Sequence, residues 1–322
     1  MKRYLIVFLL VGTLSAALCI PLHNLRRENL MLLSAYANSK GKVILFGNSV
    51  NDAISPCDRD PRSVAALTTA DAGAAVIDMS RGGMKLGQML QLAEAGASTG
   101  MVPATMIFPI SPEAGFFRSI TTAHGARAFF RDNLPALAPY LNADADTPPP
   151  TDYRGKRYGD YDEFSRHYFS REKAGASCPD GAGVNQEFVQ FMYWRNFLQK
   201  KDPMQGFDEV LARINRLKQK NIRTVFWIPP VNFGDLTMLH GDASVAEVKR
   251  QIAEVKASLE QHGMDVVDSS ELVSSAGFTD RWCACGHMSL KGRQIAAASL
   301  AAGINRHATD PALARRQLSR TN

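Results

Sequence analysis

Short, continuously apolar runs alternate along this chain with longer segments in which apolar residues recur every three to four positions. Five of the short runs are typical of buried strands: 42–46, 74–79, 104–110, 223–228 and 264–268. Four of the longer segments have the periodicity of helices: 87–97, 205–221, 244–262 and 291–302. The first and fourth runs are apolar enough to be central strands that are covered on both faces. The pattern predicts a doubly wound α/β fold, flavodoxin-like and three-layered (α/β/α), with a five-stranded parallel sheet.

A long excursion, residues 111–204, separates the third predicted strand from the fourth. A connection of this length is usually functional or separately structured, so we predict an insertion within a single domain of residues 42–307. The aromatic residues of the stretch 153–168, with Tyr193 and Trp194, fit two roles. They either line a saccharide cleft or form the small core of the insertion itself.

The amino terminus has the pattern of an export signal. Lys2 and Arg3 precede a nearly uninterrupted apolar run, residues 4–20, which ends in small residues. We therefore predict a signal peptide or membrane anchor over residues 1–24, followed by a lead-in helix or stalk over residues 25–41. The expected location is periplasmic or extracellular, with membrane association through residues 4–20 if the segment is not cleaved.

Cleavage is left open by the residues around the end of that run. Small residues at 15–17 fit a signal peptidase, but Pro21 follows closely, and the run is at the short limit for a membrane-spanning helix. Cys19 raises a third alternative, a lipoprotein. Against it, Leu18 stands where a small residue is expected.

The positive charge is concentrated at the two ends of the chain. Of a formal net charge of +6, residues 1–27 contribute four positive charges, and the basic tail, residues 308–322, contributes a net two. The remaining body is neutral, which argues against a surface that binds nucleic acid. We expect the tail to be flexible.

Four cysteines lie outside the export segment: Cys57, Cys178, Cys283 and Cys285. An even number in a compartment that allows disulfides favours disulfide bonds over free thiols. A metal clip at Cys283 and Cys285 is the least favoured alternative, because no second Cys/His pair at zinc-ligand spacing accompanies them. We predict no metal and no cofactor.

A serine and a histidine at opposite ends of the predicted domain are the candidates for chemistry. Ser49 follows the first strand in the sequence Gly47-Asn48-Ser49, and His287 precedes the last helix in the sequence His287-Met288-Ser289. A serine hydroxyl is a weak nucleophile until a base takes its proton. We predict that Ser49 is the nucleophile and His287 its base. The alternative is that Ser49 has no catalytic role and is a capping serine in a surface turn.

Two glycines strengthen this hypothesis, because Gly82 and Gly83 directly follow the second strand and can offer a backbone amide to an oxyanion. With them the chain resembles the SGNH or GDSL-like hydrolases. The first block of that family is similar to Gly47-Asn48-Ser49, its second-block glycine to Gly82 or Gly83, and its last block to His287-Met288-Ser289 with Gly292. The resemblance covers residues 42–303 and implies esterase chemistry through an acyl-enzyme.

The chain departs from the family pattern at two positions. The family's Asp, three residues before the histidine, is Ala284 here, and Asp280 is our first candidate for the missing acid, with Asp268 second. The third-block Gly-x-Asn-Asp is also missing. Asn232, after the fourth strand, is a candidate replacement for its oxyanion donor.

With these departures and its amino-terminal segment, the chain resembles exported proteins that act on bacterial surface polysaccharides, such as the alginate O-acetylation proteins. The resemblance implies a serine esterase or O-acyltransferase whose substrate is an acylated glycan, working with polysaccharide-biosynthesis partners. The alternative is a degenerate member of the family that binds or scaffolds within such an assembly. A nucleotide-binding Rossmann protein is a weaker third alternative, because no Gly-x-Gly-x-x-Gly motif opens the helix.

Overall fold

A computed structural model describes residues 38–52, 60–80, 84–98, 100, 102–117, 186–199, 202–279, 281, 284 and 286–308. The strands are β1 (Val43–Gly47), β2 (Val76–Ser80), β3 (Thr105–Pro109), β4 (Arg223–Ile228) and β5 (Asp265–Asp268). The helices are α1 (Ser49–Asp52), α2 (Val64–Ala72), α3 (Leu86–Ser98), α4 (Gln186–Tyr193), α5 (Phe207–Gln219), α6 (Phe233–His240), α7 (Asp242–Gln261) and α8 (Leu290–Ala308). Single 3₁₀ turns cover Pro112–Ala114 and Ser275–Gly277, and α4 runs on into a π-helical turn at Trp194–Leu198.

The five strands form one parallel sheet in the order β2-β1-β3-β4-β5. This is the order predicted by the flavodoxin-like interpretation. The chain leaves β1 toward one edge of the sheet and, after returning for β3, builds toward the other edge. In open α/β sheets, ligands bind beyond the carboxyl ends of the strands at such a point of reversal. The turns that follow β1 and β3 are therefore the expected place for a site.

Helices cover both faces of the sheet, as the continuous apolar strands require. On one face, Ile44 and Phe46 of β1 pack in a core that includes the buried side chains of α3, α5 and α7. On the other face, Val43 and Leu45 pack with those of α2 and α8. Successive side chains of a strand point to opposite faces, so the two layers are built from alternate residues of the same runs. The predicted three-layer α/β/α arrangement is confirmed.

Aromatic side chains fill the centre of the sheet on the face of α3, α5 and α7. Phe46 of β1 stacks on Phe108 of β3 with ring centroids 5.0 Å apart, and Phe226 of β4 lies 6.3 Å from Phe108. All three rings are fully buried. This packing fixes β1 against β3 directly beneath the turn that holds Ser49.

One edge of the sheet is short and charged. β5 has four residues and an aspartate at each end, Asp265 and Asp268. Asp265 accepts a hydrogen bond of 2.7 Å from Nε of Arg223 on β4, and Asp268 lies 3.4 Å from Nζ of Lys256 on α7.

No helix among the described residues is both long and apolar enough to cross a membrane. The predicted export segment, residues 1–24, most of the stalk and the basic tail lie outside the described residues, so the predictions about them stand untested. The same holds for the middle of the excursion, including the aromatic stretch 153–168. The domain boundaries also remain predictions.

Candidate functional site

The turn after β1 brings Ser49 to the carboxyl edge of the sheet. β1 ends at Gly47, and Ser49 opens the short helix α1 with a half-buried side chain. Oδ1 of Asn48 accepts a hydrogen bond of 3.0 Å from the backbone N–H of Val50, which closes the turn locally. Side-chain acceptors of this kind are what make Asn a frequent turn residue.

Asn51 fixes the turn from inside the protein. Its side chain is fully buried, and Nδ2 donates to the backbone oxygen of Phe46 at 3.0 Å and to Oγ of Ser80 at 3.1 Å. These two bonds tie the turn to the end of β1 and to the end of β2. A Cβ at Gly47 would stand only 1.9 Å from Nδ2 of Asn51, so this arrangement requires a glycine at position 47. The sequence analysis did not single out Asn51.

His287 lies on a loop that begins and ends in a small bridge. We call residues 279–288, of which the structure describes 279, 281, 284 and 286–288, the histidine loop. Phe278 and Met288 form an isolated antiparallel bridge, and the backbone N–H of Thr279 donates to the oxygen of His287 at 2.8 Å. The His287 side chain is half-buried, and its Nε2 is shielded from solvent.

The histidine loop meets the turn that holds Ser49. A Cβ built at Gly286 would stand 3.4 Å from Cγ2 of Val50 and 2.8 Å from Oε1 of Glu113. Val50 follows Ser49 in the chain, Gly286 precedes His287, and Glu113 belongs to the turn after β3. The chain neighbours of the predicted nucleophile and base therefore lie close together at the point of reversal of the sheet, with room for a glycine but not for a larger residue at position 286. Gly286 also has a φ of +66°, a backbone conformation that favours glycine.

A narrow cleft lies beside Gly286 and Glu113. Its lining combines aromatic rings with polar and charged groups: Glu113, Tyr193, Phe197, Asn232, Phe278, Thr279, Arg281, Ala284 and Gly286. Glu113 places a carboxylate in the cleft, and the sequence analysis did not single it out. The signal available in the sequence was its position directly after a predicted strand.

Asn232 lies beyond the end of β4, as predicted, and lines the cleft, but its side chain serves a helix. Its Oδ1 accepts from the backbone N–H of Asp235 at 3.1 Å, which caps the start of α6. The same oxygen accepts from Oγ of Ser275 at 2.7 Å, and Nδ2 donates to Oδ2 of Asp235 at 2.9 Å. Its predicted role as an oxyanion donor remains a prediction.

A buried carboxylate in the first turn of α6 gathers donors from several segments. Oδ2 of Asp235 accepts from Nε of Arg281 at 2.6 Å and from the hydroxyl of Tyr193 at 3.3 Å, and Nη2 of Arg281 donates to Oδ1. Burial raises the pKa of Tyr193, and the neighbouring Asp235 carboxylate raises it further, so the phenol keeps its proton and donates. Tyr193 is almost fully buried and packs in the main core of the domain, while it also lines the cleft.

The second candidate for the acid, Asp268, is engaged by its own turn. Its Oδ1 accepts from the backbone N–H of Ser270 at 3.1 Å and from Oγ of Ser270 at 2.7 Å. The first candidate, Asp280, lies outside the described residues. So do Gly82, Gly83 and the four cysteines at 57, 178, 283 and 285, and the predictions about their roles stand as made.

A cluster of His, Cys, Asp and Glu that could hold a metal ion is not found within the part of the chain that the structure describes. The polar groups of the cleft are instead hydroxyls, an amide, a carboxylate and a guanidinium. Such a set can bind a polar substrate and move a proton.

No protein-family model and no curated protein matches the chain. Among solved structures, it is similar to a proposed acylhydrolase from Bacteroides fragilis, with 13% identity, 87% of this chain and 97% of the other covered, and a TM-score of 0.42. It is similar to LAE5, an α/β hydrolase enzyme from the metagenome of Lake Arreo, with 13% identity, coverage of 84% and 97%, and a TM-score of 0.40. It is also similar to a member of the lipolytic G-D-S-L family from Veillonella parvula, with 12% identity, coverage of 81% and 95%, and a TM-score of 0.38. At these values the function has to be inferred from the chain's own residues.

Proposed function

We propose that this chain is a serine esterase or O-acyltransferase of the SGNH type. The observation that supports the proposal most directly is the close approach of Gly286 to Val50 and Glu113, which leaves no room for a Cβ at position 286. It joins the segments that hold Ser49 and His287 above the carboxyl ends of β1 and β3, where α/β sheets bind ligands. This proximity supports a pairing of a serine and a histidine that are some 240 positions apart in the sequence.

In the proposed reaction, Oγ of Ser49 attacks the carbonyl carbon of an ester while the imidazole of His287 takes the hydroxyl proton. Collapse of the tetrahedral intermediate breaks the bond to the alkoxy oxygen, and His287 returns the proton to that oxygen. The acyl group stays on Ser49. Water or a second hydroxyl then attacks it, gives its proton to His287 and restores the free serine.

Backbone amides are the proposed stabilisers of the oxyanion. The amide of Ser49 lies at the start of α1, and Gly82 or Gly83 is the proposed second donor. Asp280 remains the proposed carboxylate that orients the imidazole. Removing one such donor or the carboxylate slows serine hydrolases by about 10²- to 10⁴-fold, so each assignment is open to measurement.

The substrate and location are part of the proposal. The export signal pattern of residues 1–24 supports chemistry outside the cytoplasm, on an acylated envelope or extracellular polysaccharide. Polysaccharide-biosynthesis proteins are the proposed partners.

The test is hydrolysis of a short-chain aryl acetate by the wild type and by Ser49→Ala. We expect the substitution to lower kcat by at least about 10⁴-fold, since the nucleophile carries the covalent step. Ser98→Ala is the matched control, because Ser98 lies at the end of α3 and its exposed hydroxyl bonds only to its own helix at Ala95. Equal activity of Ser49→Ala and wild type would reject the assignment.

A second candidate, a binding or scaffold protein with the same fold, is favoured by two observations. Position 284 is an alanine, and the amide of Asn232 already donates to Asp235. Labelling with a fluorophosphonate probe separates the two functions. An esterase reacts at Ser49 in native but not in denatured protein, whereas a scaffold reacts in neither.

A further inference from the structure

Asp235 connects three segments that are far apart in the chain. Its carboxylate accepts from Tyr193 at the end of α4, from Asn232 after β4 and from Arg281 of the histidine loop. Four side-chain hydrogen bonds on one buried carboxylate satisfy most of its acceptor sites. Such a network is well ordered when every member is satisfied.

The two partners of the ion pair are unequally exposed. The side chain of Asp235 is 6% exposed, and that of Arg281 is 43% exposed. Asp235 is already fixed by its place in α6, by Asn232 and by Tyr193, so the carboxylate is a preformed acceptor. Arg281 reaches it from the surface with a two-point contact that fixes both distance and orientation. The ion pair therefore positions the histidine loop on a carboxylate that is already fixed in the core.

One described residue of the histidine loop has an unfavourable backbone conformation that its surroundings must hold in place. Ala284 has a φ of +51°, which is uncommon for a residue with a Cβ. Strained residues of this kind persist where the surroundings determine the conformation, and they cluster at functional sites. Nδ2 of Asn196, in the π-helical turn after α4, donates to the oxygen of Ala284 at 3.1 Å. The end of the excursion thus holds the loop at two points, through Tyr193 and Asp235 to Arg281, and through Asn196 to Ala284.

We propose that Asp235 and Arg281 are positioning residues that hold the loop of His287 in register with the turn of Ser49. The inference rests on the proposed esterase function for its effect on rate. The positioning itself is a property of the loop and is measured independently. Residues 186–198, at the end of the excursion, then support catalysis although none of them takes part in a bond-making step.

The first test compares Arg281→Gln with Arg216→Gln. Arg216 is a matched control: it is 56% exposed, and its guanidinium makes a two-nitrogen contact with Glu94 on the side of α3 and α5. Arg281→Gln should lower kcat for the aryl acetate by roughly 100-fold with KM little changed, because misplacement of a catalytic group affects the chemical step. Arg281→Lys should recover only part of the loss, since an ammonium cannot form the two-point contact. Arg216→Gln should keep the wild-type rate.

The second test is a double-mutant cycle with Asp235→Asn. If the pair acts as one unit, the double variant has about the same kcat as either single variant. Backbone hydrogen exchange at residues 286–289 reads the position of the loop without reference to activity. Exchange there should rise in Arg281→Gln and not in Arg216→Gln.

The outcomes separate the two proposals. Wild-type exchange rates at residues 286–289 in Arg281→Gln, or a kcat equal to that of Arg216→Gln, would overturn the positioning role. Faster exchange in Arg281→Gln, together with no Ser49-dependent hydrolysis by the wild type, would support the positioning role and reject the esterase function.

Discussion

The glycine that ends β1 is the position where a single methyl group has the most predictable effect. In Gly47→Ala, the new Cβ would stand 1.9 Å from Nδ2 of Asn51 and 2.5 Å from Oγ of Ser80. Both distances are shorter than the 3.0 Å below which real Cβ contacts are essentially not found. Because Asn51 is fully buried against this turn, its side chain has to leave its place.

The cost follows from what Asn51 gives up. Its hydrogen bonds to the oxygen of Phe46 and to Oγ of Ser80 are lost, at about 1 kcal/mol each, and a buried polar group left unsatisfied adds about 1–3 kcal/mol. We expect Gly47→Ala to lower the free energy of unfolding by about 3–5 kcal/mol, a large share of the 5–15 kcal/mol typical of a domain. Labelling of Ser49 by a fluorophosphonate should fall as well, since the displaced turn holds that serine.

Urea unfolding followed by far-UV circular dichroism measures the change in the free energy of unfolding. The informative comparison is the double variant Gly47→Ala with Asn51→Ala, in which the methyl group meets no amide. The free energy of unfolding of this double variant should be at most about 1 kcal/mol below that of Asn51→Ala alone. The remaining difference comes from the contact of the new methyl group with Ser80. If Gly47→Ala costs nothing, or if removal of Asn51 gives no relief, the account of this turn is wrong.

Two further predictions concern buried and half-buried charges. Burial raises the pKa of Glu94, but hydrogen bonds from Arg213 and Arg216 outweigh it and hold the pKa below the usual 4.5. A carboxylate whose pKa is lower in the folded than in the unfolded protein stabilises the fold at pH values above its unfolded pKa, and this stabilisation is lost as the pH falls through its folded pKa. Glu94→Gln should therefore lower the free energy of unfolding by about 1 kcal/mol near neutral pH, and its difference from wild type in urea unfolding should vanish in acid. Arg293 is fully buried and donates to three backbone oxygens, those of Asp60, Arg62 and Met288. Arg293→Lys should lower the free energy of unfolding by about 2–3 kcal/mol, because one ammonium cannot replace a planar fork, and a thermal midpoint equal to wild type would contradict this.

The sheet was predictable because its signal is local and redundant. β4 was predicted with its observed bounds, and the other strands were predicted to within two residues at each end. Each strand is a continuous apolar run, and the helices α3, α5, α7 and α8 have apolar faces at helical spacing. The chain order of strands and helices then favours one topology.

The helices α2, α4 and α6 were not among the predicted segments, and for α2 and α6 the reason is physical. α2 has the sequence Val-Ala-Ala-Leu-Thr-Thr-Ala-Asp-Ala, in which small residues blur the contrast between its two faces. α6 begins with Phe-Gly-Asp and contains few strong helix formers. α2 is stabilised by packing against α8, a contact with no signature in the local sequence. α6 is stabilised by its cap at Asn232, a local signal that the sequence analysis interpreted as an oxyanion donor instead.

The site was predictable only where chemistry restricts the residue type. Ser49 and His287 could be named because a nucleophile and a base leave few choices of side chain. The support around them could not: Asn51, Asp235 and Arg281 act through contacts with residues that are remote in the sequence. The need for a glycine at position 286 could not be predicted from the sequence either, because it arises only when Glu113 and Val50 approach that position in the folded protein.

The short strand at the edge of the sheet has a consequence for how the protein behaves at high concentration. Unpaired edge strands are templates on which a second molecule can add a strand. At β5, Asp265 and Asp268 stand at the two ends of a run of four residues, so an identical edge brought alongside would place carboxylates close to carboxylates. Charged residues on a short edge strand are one of the means by which natural sheets avoid such pairing, and exchanging both acids for their amides would remove those charges.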